Sequence, residues 1–467
     1  MKYTSLHMCI LFSMLFWQPL IAQQTYTEQQ VLDDIAFLES RLIRYHPNLY
    51  LYSKQDEFNA LSRGLKDVVQ SETTALEAYR QISSYSQIIR DGHTSITPSK
   101  EVISGFHTDT ALFPLRTYWD GEFMHSIMDF GNEASIPDGS EILSINGIKV
   151  DKILQNMFNS LQHDGDNMTY PTWILNNFFT AYYYFYYGAN DSFGVEYLPP
   201  HGEKKFILLP AICKVDRAKN RAHRYPKYSE QFKDEKKTGI TLKETENASA
   251  ILTIKSFDNS ILRKDYRQSF RRSIRKTISQ LKKNETQTLI VDLRGNQGGH
   301  LTNGHFLLKR LMSHRYIMVE CYTKVNKKCS HVANERNKPT HGPILGIKKP
   351  NKRRFDGELY FLVDGGSFSC SGIVTHVIKA YDRGTIVGEE TGGSAYSLVG
   401  SPNKRITLPN TGINVTIPRL QFILQDLTDT EKSGTHPDVV ISPSFGDIMK
   451  DKDVVLDQVL EIIRAKQ

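Results

Sequence analysis

Thr288-Leu289-Ile290-Val291-Asp292-Leu293-Arg294-Gly295-Asn296-Gln297-Gly298-Gly299 is an apolar run of strand length that passes straight into a glycine-rich turn. The pattern around it repeats. Residues 250–257 read as a strand, 269–281 as an amphipathic helix and about 303–311 as a helix. Further on, 358–363 reads as a buried strand, 371 to about 381 as a helix and 385–388 as a short strand. Strands alternating with helices imply βαβ units and a mostly parallel sheet. Residues 405–408 and 413–417 flank Pro409-Asn410-Thr411-Gly412 and read as a hairpin. The basic stretch 326–354 reads as an exposed loop, and no internal repeat is visible. The expected fold class is α/β and multi-domain, with a mixed-sheet core containing βαβ units over 206–467.

Upstream, the periodicity is helical. Val31, Ile35, Leu38 and Leu42 share one helix face, with Thr27 placed to cap it and Pro47 to end it. A second stripe is Phe58, Leu61, Leu65 and Val68, and a third begins near Thr74 with Leu76, Tyr79, Ile82 and Ile89. These define an N-terminal helical domain over 25–98, closing at Arg90-Asp91-Gly92-His93-Thr94. The segment 100–205 is read as a β-rich module. Residues 142–150 form a strand, an Asn146-Gly147 turn and a second strand, with a helix following to about Leu161. The aromatic run Tyr182 to Tyr187 is β-prone and reads as partly buried strand or as a groove wall.

The chain has 467 residues, which suggests two or three domains, and its 39% hydrophobic and 23% charged residues make a globular composition rather than a disordered one. Lys2, an apolar run from about Cys9 to Ile21, and Ala22 ahead of Gln23 read as a signal peptide over 1–22. That implies export, to the periplasm or beyond, with an uncleaved N-terminal anchor as the alternative. No later stretch is long and apolar enough to span a membrane. The net charge of +7 is scattered. Runs such as Lys348-Lys349 and Lys352-Arg353-Arg354 read as solvated loop, and without an aromatic-basic motif no nucleic-acid partner is expected. Cys213, Cys321, Cys329 and Cys370 form no C-x-x-C pair, so zinc is not indicated; nor is any other metal or an organic cofactor implied. Cys321 and Cys329 are spaced to bridge a short hairpin in an oxidising compartment.

In open α/β folds, sites form at the carboxyl ends of strands. Three such ends carry unusual turns: Asp292 to Gly299, Asp364-Gly365-Gly366-Ser367-Phe368-Ser369-Cys370-Ser371-Gly372, and Gly388-Glu389-Glu390-Thr391-Gly392-Gly393. A Ser at a tight strand-to-helix junction is presented outward, with backbone N–H groups nearby for an oxyanion. Ser367, Ser369 and Ser371 compete equally for that role, and the commonest use of a Ser ahead of a helix is as an N-cap. Gly298-Gly299 lets backbone approach a substrate closely, or simply makes a tight turn. The spacing fits no phosphate-binding motif.

Together these elements resemble the C-terminal-processing (tail-specific) serine protease family. Asp292 to Gly299 resembles its D-L-R-x-N-x-G-G element, and Ser369-Cys370-Ser371-Gly372 its S-A-S-E nucleophile turn, in which the first Ser attacks. Gly388-Glu389-Glu390-Thr391 resembles its G-E-x-T strand end, and Asp91-Gly92-His93-Thr94 its D-G-H-T element. Residues 139–150 resemble part of a divergent PDZ module. The resemblance covers about 28–95 and 250–440. It implies a protease core of ClpP/crotonase-like fold, a PDZ-like middle module, and a polypeptide substrate gripped by its C-terminus at that module.

One departure bears on mechanism. The bacterial and chloroplast members use a Ser-Lys dyad, but Ser394 stands at the Lys position, and neither Lys379 nor Lys404 matches the motif. A Lys-less branch that includes the tricorn protease core uses a His from the D-G-H element and a downstream Glu. His93 fits the first role, and Glu431-Lys432-Ser433-Gly434-Thr435-His436-Pro437-Asp438 resembles the element carrying the second. The resemblance thus implies an exported serine endopeptidase with Ser369 as nucleophile, His93 as general base and Glu431 orienting or polarising the site. Backbone N–H groups of Cys370 and of Gly299 or Gly298 would form the oxyanion hole, with Cys370 itself a tight-packing hydrophobe. The rival readings are a catalytically inactive peptide-binding protein on the same fold and a serine acyl hydrolase or esterase. Nothing in the sequence bears on the oligomeric state.

Overall fold

The computed structural model describes residues 24–108, 111–235, 238–325, 327, 344–424 and 433–466. The helical N-terminus forms as its periodicity requires. Helix α1 (Glu28–Tyr45) opens on a capping box in which Thr27 and Gln30 bond each other's backbone N–H, and it buries Val31, Ile35, Leu38 and Leu42. Each of those side chains contributes roughly 1.5–3 kcal/mol by leaving water. Helix α2 (Gln55–Asp67) and helix α3 (Ala75–Ser83), the latter capped by Thr74, complete this layer.

The middle segment is an antiparallel sheet. Its strands are β1 (Leu115–Trp119), β2 (Met124–Asp129), β3 (Glu141–Ile145), β4 (Ser192–Leu198) and β5 (Lys205–Pro210), paired in that order. Asn146 and Gly147 take positive φ in the tight turn after β3, as an Asn-Gly hairpin demands. Helix α4 (Val150–Phe158) follows. The sheet runs on to Pro210 before the chain leaves it.

The aromatic run is a correction. Tyr182 to Tyr187 is not a strand but the last third of helix α5 (Thr169–Tyr187), which kinks at Phe178. The helix is apolar nearly all round, so it lies between elements, packed on β1 and on α3. Aromatic β-propensity reflects fit to a half-buried surface, and here the surrounding layers provide that surface to a helix instead.

The third unit is built as the alternation implies. Its sheet runs β6 (Ile240–Thr245), β7 (Ser249–Ile254), β8 (Thr288–Asp292), β9 (Glu358–Val363), β10 (Thr385–Gly388) and the two-residue strand Val439–Val440, all parallel except the antiparallel β6/β7 pair. Helix α6 (Phe270–Lys283), helix α7 (Leu301–Leu311) and helix α8 (Cys370–Ala380) bury Ile274, Leu281, Leu307, Val374 and Ile378 in one core cluster with this sheet. Helix α9 (Val454–Ala465) buries Val455, Val459 and Ile463 with Ile290, Tyr360 and Val387 in another. Helices in both clusters explain why β8 and β9 are apolar along nearly their whole length. The hairpin is present, as β11 (Ser397–Thr407) and β12 (Asn414–Ile423).

Contacts from α1 and from the segment after α3 bind the helical layer to this core. Asp34, fully buried on α1, accepts hydrogen bonds from Thr411 N and Oγ1 in the hairpin turn, at 2.7 and 2.6 Å. Ser95–Thr97 pairs antiparallel with β12 through Ile96 and Val415. Cys321 forms a disulfide; Cys329, its expected partner, lies outside the described residues, as does the leader 1–22. Among the described residues no helix is long and apolar enough to cross a membrane.

Candidate active site

The turns following β8, β9 and β10 converge. Asn296 O accepts from Phe368 N at 3.1 Å, Asp364 Oδ1 accepts from Gly295 N at 2.8 Å, and Ser367 O accepts from Gly392 N at 3.2 Å. The register of three adjacent parallel strands thus brings together segments far apart in sequence.

These contacts separate the three serines that local chemistry leaves equal. Ser367 is buried and its Oγ donates to Leu293 O at 2.9 Å. Ser371 is buried and its Oγ donates to Asn296 O at 2.7 Å. Both hydroxyls are committed to holding the turn after β8 against the turn after β9. Ser369 is different. It is partly exposed, has φ 56° and ψ −119°, and stands at the N-cap of α8 without making the side-chain capping bond. A non-glycine residue held at positive φ is strained, and such strain is characteristic of a strand-to-helix elbow that projects a nucleophile.

Gly298 makes the elbow possible. A Cβ on this residue (φ 94°) would lie 2.7 Å from both Ser369 Cβ and Cys370 N. Its own N–H donates to Asn296 Oδ1 at 2.9 Å, and its carbonyl accepts from Phe257 N at 2.8 Å. Of the three expected oxyanion donors, Gly298 is therefore already engaged. That leaves Cys370 N, at the positive end of α8, and Gly299 N. The Cys370 side chain is buried against Gly304 of α7, and burial pushes its thiol up to about 12, so it packs and stays protonated.

His93 reaches this region because Ser95–Thr97 is stitched to β12. Its ring stacks on Phe368, the residue preceding Ser369, with centroids 4.6 Å apart and planes 26° apart; Phe368 in turn stacks on Tyr170 at 4.2 Å. Burial holds the His93 pKa below the usual 6.5 while Asp91 pulls the other way, which favours the neutral ring. Among the described residues neither ring nitrogen has a hydrogen-bond partner. Asp91 orients the backbone beneath it, accepting from His93 N at 3.0 Å and from Thr94 Oγ1 at 2.5 Å, and pairing with His46 Nε2 at 2.9 Å. Burial alone would raise the Asp91 carboxyl, but these contacts outweigh it and hold the group at about 2.

Glu431 lies outside the described residues. Close after it in sequence, Gly434 N donates to Glu390 Oε1 at 2.6 Å while Thr435 N donates to Thr391 Oγ1 at 2.9 Å. Gly434 and Thr435 are thus laid along the turn following β10. The lysines are elsewhere: Lys379 is bound to His436 O and Asp438, and Lys404 lies over the Tyr45 ring. Ser394, at the relatives' Lys position, is buried, and its Oγ accepts from Tyr396 N.

No feature of the sequence points to Asp164. It sits in a segment without motif or periodicity, yet its carboxylate reaches both Gly92 N and Ser394 N. Ligand atoms of Asp91, His93 and Asp164 lie within 4.8 Å of one another, so these three residues could hold a cation. Asn296 and Phe368 were legible only as parts of their motifs; their roles as bracket and stacking platform are tertiary.

A strained, partly exposed Ser at a strand-to-helix elbow, with a His stacked on the residue before it, is consistent with the site of a serine hydrolase. Residues 248–441 match the model of Peptidase family S41, and the enzymatic class of the protein is that of a serine-type peptidase. Among solved structures, the chain resembles mature CPAF at TM-score 0.62 and 14% identity, over 94% of this chain and 98% of that one. It resembles mature CPAF complexed with lactacystin at TM-score 0.63 and 14% identity, over 94% and 99%. Identity this low shows a shared fold alone. The photosystem II D1 C-terminal processing protease is 15% identical over 90% and 94% of the two chains, at a TM-score of 0.44 that is too low to add to the argument.

Proposed function

We propose that the protein is an exported serine endopeptidase of the Lys-less type, which cleaves polypeptides through an acyl-enzyme. Ser369 attacks the scissile carbonyl carbon, and its hydroxyl proton passes to His93. The carbonyl oxygen, now negative, takes hydrogen bonds from Cys370 N and Gly299 N. Collapse releases the amine with the proton returned by His93, and water repeats the sequence on the ester. Glu431 orients or polarises His93. The middle β-sheet unit acts as the PDZ-like element that grips the substrate's C-terminus, and residues 1–22 direct export.

The observation that carries this reading is the separation of Ser369 from its neighbours: two of three serines are buried and bonded to backbone, and the third is strained outward. The test is labelling of the purified protein with a fluorophosphonate probe and peptide mapping, beside Ser369→Ala and His93→Ala. Label confined to Ser369, absent in the first variant and much reduced in the second, supports the reading. A folded protein that takes no label would instead be a peptide-binding module on this fold.

A further inference from the structure

We propose that Asp164 is a positioning residue that holds His93 in place by clamping the segment before it to the turn after β10. This inference rests on the reading of His93 as base.

Asp164 is 2% exposed. Its Oδ1 accepts from Gly92 N at 2.7 Å and its Oδ2 from Ser394 N at 2.9 Å. One carboxylate therefore bridges the residue preceding His93 and the turn whose Gly393 lies against Ser369 N and Phe368. The surrounding loop is built to hold it. Gly165 N donates to Arg90 O at 3.0 Å, and Arg90 bonds back to Gly165 O and to Asp166. On the other side Asn167 Nδ2 donates to Glu390 Oε1 and Thr391 O, each at 2.9 Å. Gly92 has no room for a side chain, because a Cβ would fall 2.8 Å from the Phe368 ring and 3.2 Å from Asp164 Oδ1. The spacing of Asp164, Gly92 and the Phe368 platform is thus tight on every side.

Both carboxylate oxygens accept in this clamp, whereas the amide of an Asn would offer one acceptor and set its NH2 against the second backbone N–H.

The experiment is the saturation kinetics of fluorophosphonate labelling at Ser369 in the full protein and in Asp164→Asn, Asp164→Glu and Asn167→Ala, with the maximal rate separated from the half-saturating probe concentration. Asp164→Asn, nearly isosteric, should lower the maximal rate by on the order of a hundredfold at an unchanged half-saturating concentration, because it displaces His93 and not the probe site. Asp164→Glu keeps both acceptors and should recover part of that rate, and Asn167→Ala, which loosens the same loop without touching the clamp, should label close to the wild-type rate. A folded Asp164→Asn protein that labels at the wild-type rate overturns the proposal, as does a loss matched by lost folded fraction in near-ultraviolet circular dichroism. A Glu variant that folds but labels no faster than the Asn variant overturns it as well, and so does an Asn167→Ala protein that labels as slowly as Asp164→Asn. A wild type unlabelled at Ser369 sinks the reading of the site, and this inference with it.

Discussion

Gly298 lies so close to Ser369 that a methyl group on it would sit 2.7 Å from Ser369 Cβ and equally close to Cys370 N. Glycine is required there twice over, by this contact and by φ 94°. Gly298→Ala should therefore cost roughly 1–3 kcal/mol of stability. It should also slow peptide hydrolysis and Ser369 labelling by on the order of a hundredfold, by filling the space beside the Cys370 amide. Thermal unfolding and labelling of the folded fraction measure the two effects separately; an Ala variant with wild-type labelling would remove Cys370 N from the oxyanion site.

The serine triplet gives a second expectation. Ser367→Ala and Ser371→Ala each remove a buried hydrogen bond to a carbonyl, at 2.9 and 2.7 Å. Each should cost about 1 kcal/mol of stability while keeping the label. Ser369→Ala should abolish label and leave the melting temperature unchanged, since that hydroxyl makes no capping bond. If Ser371→Ala lost label with Ser369 intact, the nucleophile would be misassigned.

Cys370 should be chemically silent. Its thiol is buried and pushed up to about 12, so the thiolate that reacts with iodoacetamide is absent at neutral pH. Activity should survive iodoacetamide, and Cys370→Ala should retain hydrolysis at a stability cost of about 1 kcal/mol for the small cavity left beside Gly304. Inactivation that tracks modification of Cys370 by mass spectrometry would contradict this.

Acid should destabilise the fold partly through His305. Burial first, then Lys348, Lys309 and Arg271, hold it down to about 4, and Nδ1 contacts Tyr316 Oη at 3.2 Å. The unfolded chain takes up a proton near 6.5 while the native state refuses it until about 4. More protons bind the unfolded state in that window, so stability falls as pH drops from 6.5 to 4 and levels off below. His305→Gln keeps a polar partner for Tyr316 without titrating. Its denaturant midpoint should fall less steeply over that window than the wild type's, and parallel curves would show that His305 does not contribute.

Much of the architecture was legible because it is written in local periodicity. Val31, Ile35, Leu38 and Leu42 mark a helix whatever it packs against, and the strand 288–292 leads into its turn as its apolar run implies. The run Tyr182 to Tyr187 was not legible, because aromatic residues satisfy a buried helix as well as a strand, and only the elements on either side decide between them.

The residues of the site divide the same way. Sequence by itself determined that three glycine-rich turns stand at strand ends, and, through its motifs, that Ser369 and His93 are the residues to examine. It left Ser367, Ser369 and Ser371 chemically equal, because a hydroxyl's role depends on which carbonyl lies within reach, and Leu293 O and Asn296 O come from another strand. Only the tertiary structure engaged the Gly298 amide with Asn296, carried His93 onto Phe368 through the pairing of Ile96 with Val415, and set Asp164 between Gly92 and Ser394. The last two of these join groups that are remote along the chain. Local propensity and spacing carry no information about such pairs until sheet register brings them together.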